Sequence, residues 1–186
     1  MQNDIDLVRR AKSGDMVAFD QLVYNYEKKV YLMAYRSTAN EQDALDISQE
    51  VFIKVYRSIA SFKEESSFST WLYRITSNVL IDFSRKKQNK STLSLYVENE
   101  DEEELYIDLP SREDTPEQAY EAKSLREEIQ KALLSLSERH RQIVIMRDIN
   151  GFSYTEISEI LNISEGTVKS RLARARENLR RILELL

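Results

Sequence analysis

"SYTEISEILNISEGTVKSRLARARENLRR", residues 153–181, carries the pattern on which the fold turns. It splits into two short amphipathic runs, residues 155–161 and 165–179, parted by the tripeptide "NIS". A turn of that length between two such helices is the helix-turn-helix arrangement. Ile157, Ile160 and Leu161 give the first run its inward face. Val168, Leu172, Ala175 and Leu179, spaced four, three and four, give the second a buried stripe. Ile163 fills the turn, and Ser164 stands where a helix cap is needed. The outward side of the second run is basic, with six Lys and Arg against one acid, Glu177, between Gly166 and Arg181. In a chain of formal net charge -5, such a concentration is aimed at something negative. The N-terminal half of a recognition helix meets base edges in the major groove, where Arg pairs bidentately with guanine. The outward residues there are Glu165, Gly166, Thr167, Lys169, Ser170, Arg171 and Arg174. Arg176, Arg180 and Arg181 lie further along and are placed for phosphates. A basic helix that only solvates a surface is the plain alternative; the turn, cap and stripe together favour duplex DNA.

The remainder of the chain repeats the helical period. Three Gly and two Pro in 186 residues, with 41% apolar and 32% charged, describe a helix-rich chain able to bury a core. Residues 3–13 read as a short helix with Ile5 and Val8 inward, stopped by Gly14. Asp15 caps a second, with Phe19, Leu22, Val23, Tyr26, Val30 and Met33 on one face. Asn40 caps a third, which turns Ala44, Ile47, Val51, Phe52, Val55 and Ile59 inward. After the polar loop "SFKEESS" comes a fourth, on Phe68, Leu72, Ile75, Val79 and Phe83. Residues 119–136, a run capped by Ser137 and ending before Gly151, and the helix-turn-helix make four more.

Residues 98–121 hold eleven acids and one base, Arg112, so a mildly basic body carries an acidic insert. The stretch around it contains both prolines and no sustained apolar period, and it cannot offset its ordering entropy. The predicted class is therefore all-α: a four-helix module over 1–87, an acidic flexible linker over 88–118, and a helix-turn-helix module over 119–186.

Catalysis has little to work with. The absence of Cys excludes disulfides, thiolate metal sites and cysteine nucleophiles. The single His140 lies between two arginines and reads as a surface residue. There is no phosphate-cradling glycine loop, and acids on a flexible strand cannot be held at catalytic distance. No metal, cofactor or catalytic residue is expected. No run approaches the roughly 18 apolar residues of a membrane span, and "MQNDIDLVRRAK" lacks a signal-peptide core, so a cytoplasmic chain without membrane insertion is expected.

Two further stretches narrow the function. "DALDISQEVFIKVY" (43–56) and "SSFSTWLYRITSNVLIDFSRKK" (66–87) resemble the second conserved region of bacterial sigma factors. "SLSERHRQIVIMRDINGFSYTEISEILNISEGTVKSRLARARENLR" (135–180) is similar to their fourth region. The small size and the lack of a long third region point to the extracytoplasmic-function group of the sigma-70 family. The resemblance covers nearly the whole chain outside the linker. It implies promoter recognition, DNA melting and transcription initiation on core RNA polymerase.

Residue by residue, the resemblance assigns three surfaces. The third helix sets Asp46, Gln49 and Glu50 on an acidic-polar face, which in the family docks on the clamp coiled coil of the largest polymerase subunit. The flap is the family's second polymerase contact. The fourth helix combines Phe68, Thr70, Trp71 and Arg74 with Asn78 and the basic Arg85 and Lys86. Aromatics beside cations suit unpaired bases, although Phe68 and Trp71 fit an ordinary core equally well. In the family this helix and the preceding loop read the promoter element nearer the start site. A flipped base of the unpaired non-template strand enters a loop pocket, here within residues 61–70, which offsets unstacking costs of a few kcal/mol. The outward residues 165–176 then read the farther element as duplex.

The run "ENEDEEE" (98–104) fits a solvated spacer. In the family the linker threads the polymerase's basic channels, which an acidic strand can occupy as a nucleic-acid mimic. About 30 extended residues reach on the order of 100 Å. Family members are typically held by an anti-sigma factor, often membrane-anchored, and that is the expected inhibitory partner. A free-standing helix-turn-helix repressor would leave the first module unexplained, and a carboxylate nuclease lacks an ordered acid cluster.

Overall fold

A computed structural model of the chain describes the backbone of residues 2–91 and 116–185 and the side chains of residues 4–87 and 123–185. The acidic run 98–104, and most of the linker expected over 88–118, lie outside the described residues. Every regular element among the described residues is helical.

The first bundle holds α1 (Gln2–Lys12), α2 (Met16–Thr38), α3 (Glu41–Ser58), a single 3₁₀ turn (Ile59–Ser61) and α4 (Phe68–Ser91). The helix ends follow from local chemistry. Gly14, at φ 95°, turns the chain out of α1 in a conformation that favours glycine. Asp15 then caps α2, its Oδ1 accepting from the Ala18 N–H at 3.1 Å. Asn40 caps α3 in the same way through the Asp43 N–H at 2.8 Å. Ser67 Oγ accepts from the Thr70 N–H at 3.1 Å and starts α4. The core is the set predicted by spacing: Leu22, Val30, Met33, Ala44, Ile47, Val51, Val55, Leu72 and Val79 are all buried.

Two expectations for this half change. Ile5 points outward, because Leu7, Val8 and Ala11 form the buried stripe of α1. α4 continues to Ser91, a turn beyond the end placed at Lys87.

The second bundle holds α5 (Pro116–Ser135), α6 (Glu138–Val144), a π turn (Ile145–Ile149), α7 (Tyr154–Leu161) and α8 (Glu165–Leu183). α5 begins at Pro116, three residues before the expected start, as a first-turn proline permits. Ser137 precedes α6, but its side chain makes no capping bond. Arg141 does the fastening instead. Its guanidinium donates to the carbonyls of Leu133 (3.0 Å) and Leu134 (2.8 Å) in the last turn of α5, to that of Leu136 (3.0 Å) just past its end, and across to the Ser37 carbonyl of α2. Capping of α7 is reciprocal: Ser153 Oγ accepts from the Glu156 N–H at 3.1 Å, and the Glu156 carboxylate accepts from the Ser153 N–H at 2.8 Å.

The two bundles are packed together rather than held apart. α4 lies along α7 and also meets α6, while α2 meets α5 and α6. At the seam Tyr73 and Phe152 meet edge to face, ring centroids 4.7 Å apart. Behind them the buried Ser77 hydroxyl donates to Gln142 Oε1 at 2.8 Å. Arg36, half-buried, donates to Asn150 Oδ1 at 3.1 Å, and its carbonyl accepts from Gln130 at 3.1 Å.

Candidate nucleic-acid interface

The turn between α7 and α8 is built as its residues predict. Asn162 adopts the left-handed conformation, φ 52°, and its N–H and that of Ile163 both return to the Ser158 carbonyl. Ser164 Oγ then accepts from the Thr167 N–H at 3.2 Å and begins α8. Val168, Leu172 and Ala175 are buried, with Leu179 half-buried behind them. That locks the rotation of α8 and leaves Glu165, Gly166, Lys169, Ser170, Arg174 and Arg176 exposed, with Thr167 and Arg171 half-buried beside them.

Some of these side chains already have neighbours. Glu165 accepts from the Thr155 hydroxyl at 2.6 Å, and Ser170 donates to the Thr167 carbonyl at 3.1 Å. Arg176, placed for phosphate, pairs with Asp148, its Nε 3.0 Å from Oδ2. That bond and charge raise the guanidinium's pKa further. Gly166 has no internal reason to be glycine: an added Cβ would meet only Ser164 Oγ, at 3.9 Å. Tyr154, which the sequence pattern did not single out, lies beneath two cations, Arg147 at 4.8 Å and Lys169 at 5.7 Å from its ring centre. The signal was present only as an aromatic at the first position of α7.

On α4 the predicted residues divide. Asn78 is exposed and lines a groove of about 650 Å³ with Lys54, Arg57, Asp82 and Arg85. Arg85 and Lys86 are exposed. Lys54 and Arg57 come from the end of α3; nothing in the α3 pattern marked them as part of the α4 surface. Phe68 does not present a face for a base. It is 6% exposed, packed between Tyr26 and Phe62, because the first inward position of α4 falls over the α1–α2 core. Thr70 is likewise buried, its hydroxyl 2.8 Å from Ser67 Oγ. Trp71 is half-buried on Phe62, centroids 4.8 Å apart.

The loop before α4 is pinned from α1. Glu64, at φ 61°, is paired with Arg9 (3.2 Å) and Lys12 (3.3 Å), which hold its carboxyl below its usual range, and Lys12 also donates to the Phe62 carbonyl at 2.6 Å. Beside this loop lies a recess of about 440 Å³ lined by Ser61, Lys63, Trp71 and Arg74, with Glu159 of α7 on its far side.

On α3, Asp46 and Gln49 are exposed and Glu50 is half-buried, in salt bridge with Lys54 at 3.0 Å. Exposed Leu45, Ile53 and Tyr56 share the helix, so an acidic face is bordered by apolar side chains. No group of His, Cys, Asp and Glu among the described residues is arranged to hold a metal.

Residues 22–90 match the family model for sigma-70 region 2, and residues 126–179 that for sigma-70 region 4. The chain is 39% identical over 176 residues to the ECF RNA polymerase sigma factor SigW of Bacillus subtilis, covering 95% of this chain and 94% of that one. The chain belongs to the ECF group of RNA polymerase sigma factors. The sigma-E factor of Escherichia coli K12 is 35% identical over 175 residues, with 92% of this chain and 89% of that one covered. Among solved structures, this sigma factor resembles CnrH in complex with the cytosolic domain of CnrY (TM-score 0.71, 23% identity, 98% of each chain). It also resembles the sigma factor RpoE in complex with the anti-sigma factor NepR from Bartonella quintana (TM-score 0.67, 25% identity, 89% of this chain and 96% of that one). As a sigma factor the protein acts in transcription initiation, and the helix-turn-helix at its C-terminal end is region 4. No helix among the described residues is long and apolar enough to cross a membrane.

Proposed function

We propose that this sigma factor docks on core RNA polymerase through Asp46, Gln49 and Glu50, then grips a promoter at two separated places. Residues 1–87 form the polymerase-binding and melting module, residues 88–118 the tether, and residues 119–186 the module for the farther element. On the nearer element Asn78 reads a base from the floor of its groove. Arg85 and Lys86, joined by Lys54 and Arg57, hold the strand's phosphates. Trp71 and Arg74 line the recess that receives an extruded base. Phe68 and Thr70 act from beneath, fixing where α4 begins.

On the farther element α8 enters the major groove with Lys169, Arg171 and Arg174 toward base edges and phosphates, flanked by Glu165, Thr167, Ser170 and Arg176. Gly166 leaves room for close approach of the backbone to the duplex. The observation that carries most weight is the exposed amide of Asn78 within a groove walled by three cations. A neutral hydrogen-bonding tip ringed by positive charge suits a base on a phosphate-bearing strand better than it suits a protein surface.

An anti-sigma factor is the partner this reading favours, since the similar RpoE of Bartonella quintana is held in complex with the anti-sigma factor NepR. The decisive experiment combines the purified chain with core polymerase and genomic fragments and maps transcript starts. Enrichment of one two-part sequence upstream of the starts is the expected result. Tight DNA binding without polymerase, and no stimulated transcription, would overturn it.

A further inference from the structure

Three non-glycine residues among those described sit at positive φ. Ala39 and Asn162 do so at helix ends, where the N–H of each returns to a carbonyl four residues back. Glu64, at φ 61°, ends no helix, and no backbone–backbone hydrogen bond involves residues 63–66 among the described residues. A residue other than glycine persists in that region only where its surroundings over-determine it.

Here the surroundings are α1. Glu64 Oε2 accepts from Arg9 Nε at 3.3 Å and Nη2 at 3.2 Å, and Oε1 from Lys12 Nζ at 3.3 Å. The same ammonium donates to the Phe62 carbonyl at 2.6 Å. α1 therefore grasps the loop twice, by main chain at 62 and by side chain at 64. The first grip bears on Trp71, whose indole lies on the Phe62 ring. The second ties residue 64 to α1 while Lys63 and Glu65, on either side of it, line the recess beside Trp71. Arg74, on another wall of that recess, is already fixed, its Nη2 donating 2.9 Å to the Glu159 carbonyl of α7. The loop is the wall that still needs holding. Accessible ion pairs are individually weak, and the Arg9 side chain is 67% exposed, so the charges little more than offset the backbone cost. We propose that Arg9, Lys12 and Glu64 are positioning residues for strand opening: α1 sets the loop, and with it the recess beside Trp71, before any base arrives. Preorganisation of this kind removes an ordering cost from the capture step. The role in opening rests on the reading of that recess given above; the clamp on the loop does not.

Trp71 is the single tryptophan of the chain, so acrylamide quenching of the free protein reads the recess directly. Lys12→Met keeps the apolar stem but removes one ion pair and the bond to Phe62. Glu64→Gln removes both ion pairs and leaves the backbone cost in place. In each variant the quenching constant should rise by about 1.5-fold to twofold as Phe62 loosens over the indole, with helical content unchanged by circular dichroism. The opening assay uses core polymerase and a fragment carrying the two-part sequence that transcript mapping returns, with 2-aminopurine in the nearer element. Both variants should lower the open fraction about fivefold, since a rarer competent loop weakens capture in proportion. Binding of the same fragment at low temperature, as closed duplex, should not move. Lys12→Arg, which keeps the charge and the donors, should restore both signals. The signs carry the test, because one variant removes a cation and the other an anion. A general effect of charge on DNA would move opening in opposite directions, and that result overturns the proposal. Quenching unmoved in both variants overturns the clamp, and quenching that rises while opening holds overturns the role in opening. Failure of the sigma-factor reading looks different: wild type would open no fragment, while the quenching of the free chain would still decide the clamp.

Discussion

Replacing Arg141 by Ala tests how the second bundle is fastened. The side chain is 14% exposed and reaches three carbonyls at the C-terminal end of α5 (Leu133, Leu134 and, just past it, Leu136), the Ser37 carbonyl of α2, and Glu138 at 3.6 Å. Burial lowers its pKa, and the Glu138 carboxylate pulls it back up. Hydrogen bonds to a charged group contribute about 1.5–3 kcal/mol each. Water will reach some of the orphaned carbonyls, so a net loss of about 3 kcal/mol is the reasonable sum. For a module this small that corresponds to a fall in melting temperature on the order of 12–24 °C. Calorimetry of the full chain should show the transition of the second bundle moving by that much. The Arg141→Lys variant should fall between, since one ammonium cannot span the carbonyls that a planar fork reaches. A loss below about 1 kcal/mol for Arg141→Ala would refute the assignment, and α5 would then be held by apolar contact alone.

Three other outcomes follow from geometry. Glu50→Lys should weaken binding to core polymerase by about tenfold while leaving the melting curve in place, because a solvent-accessible i, i+4 ion pair on one helix, such as Glu50–Lys54, contributes little to stability; titration with labelled core enzyme checks it. Gly166→Ala should leave stability unchanged or raise it by up to about 1 kcal/mol, yet weaken duplex binding about tenfold in an anisotropy titration. Glu138 is desolvated at the seam, which raises its pKa despite Arg141 nearby. A raised folded-state value means that the folded chain binds the proton more tightly, so this contribution is full below the ordinary carboxylate range and is lost as pH rises through the folded value. Urea denaturation should therefore show wild type gaining on Glu138→Gln as pH falls from 7 to about 4.

What could be read in advance were the features that one segment encodes by itself. Asp15, Asn40 and Ser164 each bond the N–H three residues on, an interaction contained within four residues. The stripe Val168, Leu172, Ala175 needed only its spacing. Ile5 was misplaced because 5 and 8 share a face as readily as 7, 8 and 11, and only the neighbouring α2 decides between them. The π turn at Ile145–Ile149 begins on the last residue of "IVI" (143–145), a run apolar on every side and therefore without a periodic signal. Phe68 kept both identities open until Tyr26 and Phe62 were seen around it. The seam was invisible for a stronger reason. Ser77 and Gln142 are ordinary polar residues 65 positions apart, and nothing local to either one announces the other.

The acceptor that holds Arg74 is a main-chain oxygen. Replacing the side chain at position 159 therefore leaves the contact standing, and an alanine scan along α7 would pass over it in silence. Drift in that helix can proceed without loosening the clasp, whereas a change at position 74 alters the clasp and the recess beside Trp71 at once. Sensitivity of this kind concentrates on one arginine, and suppressor mutations should be sought around it rather than across the gap.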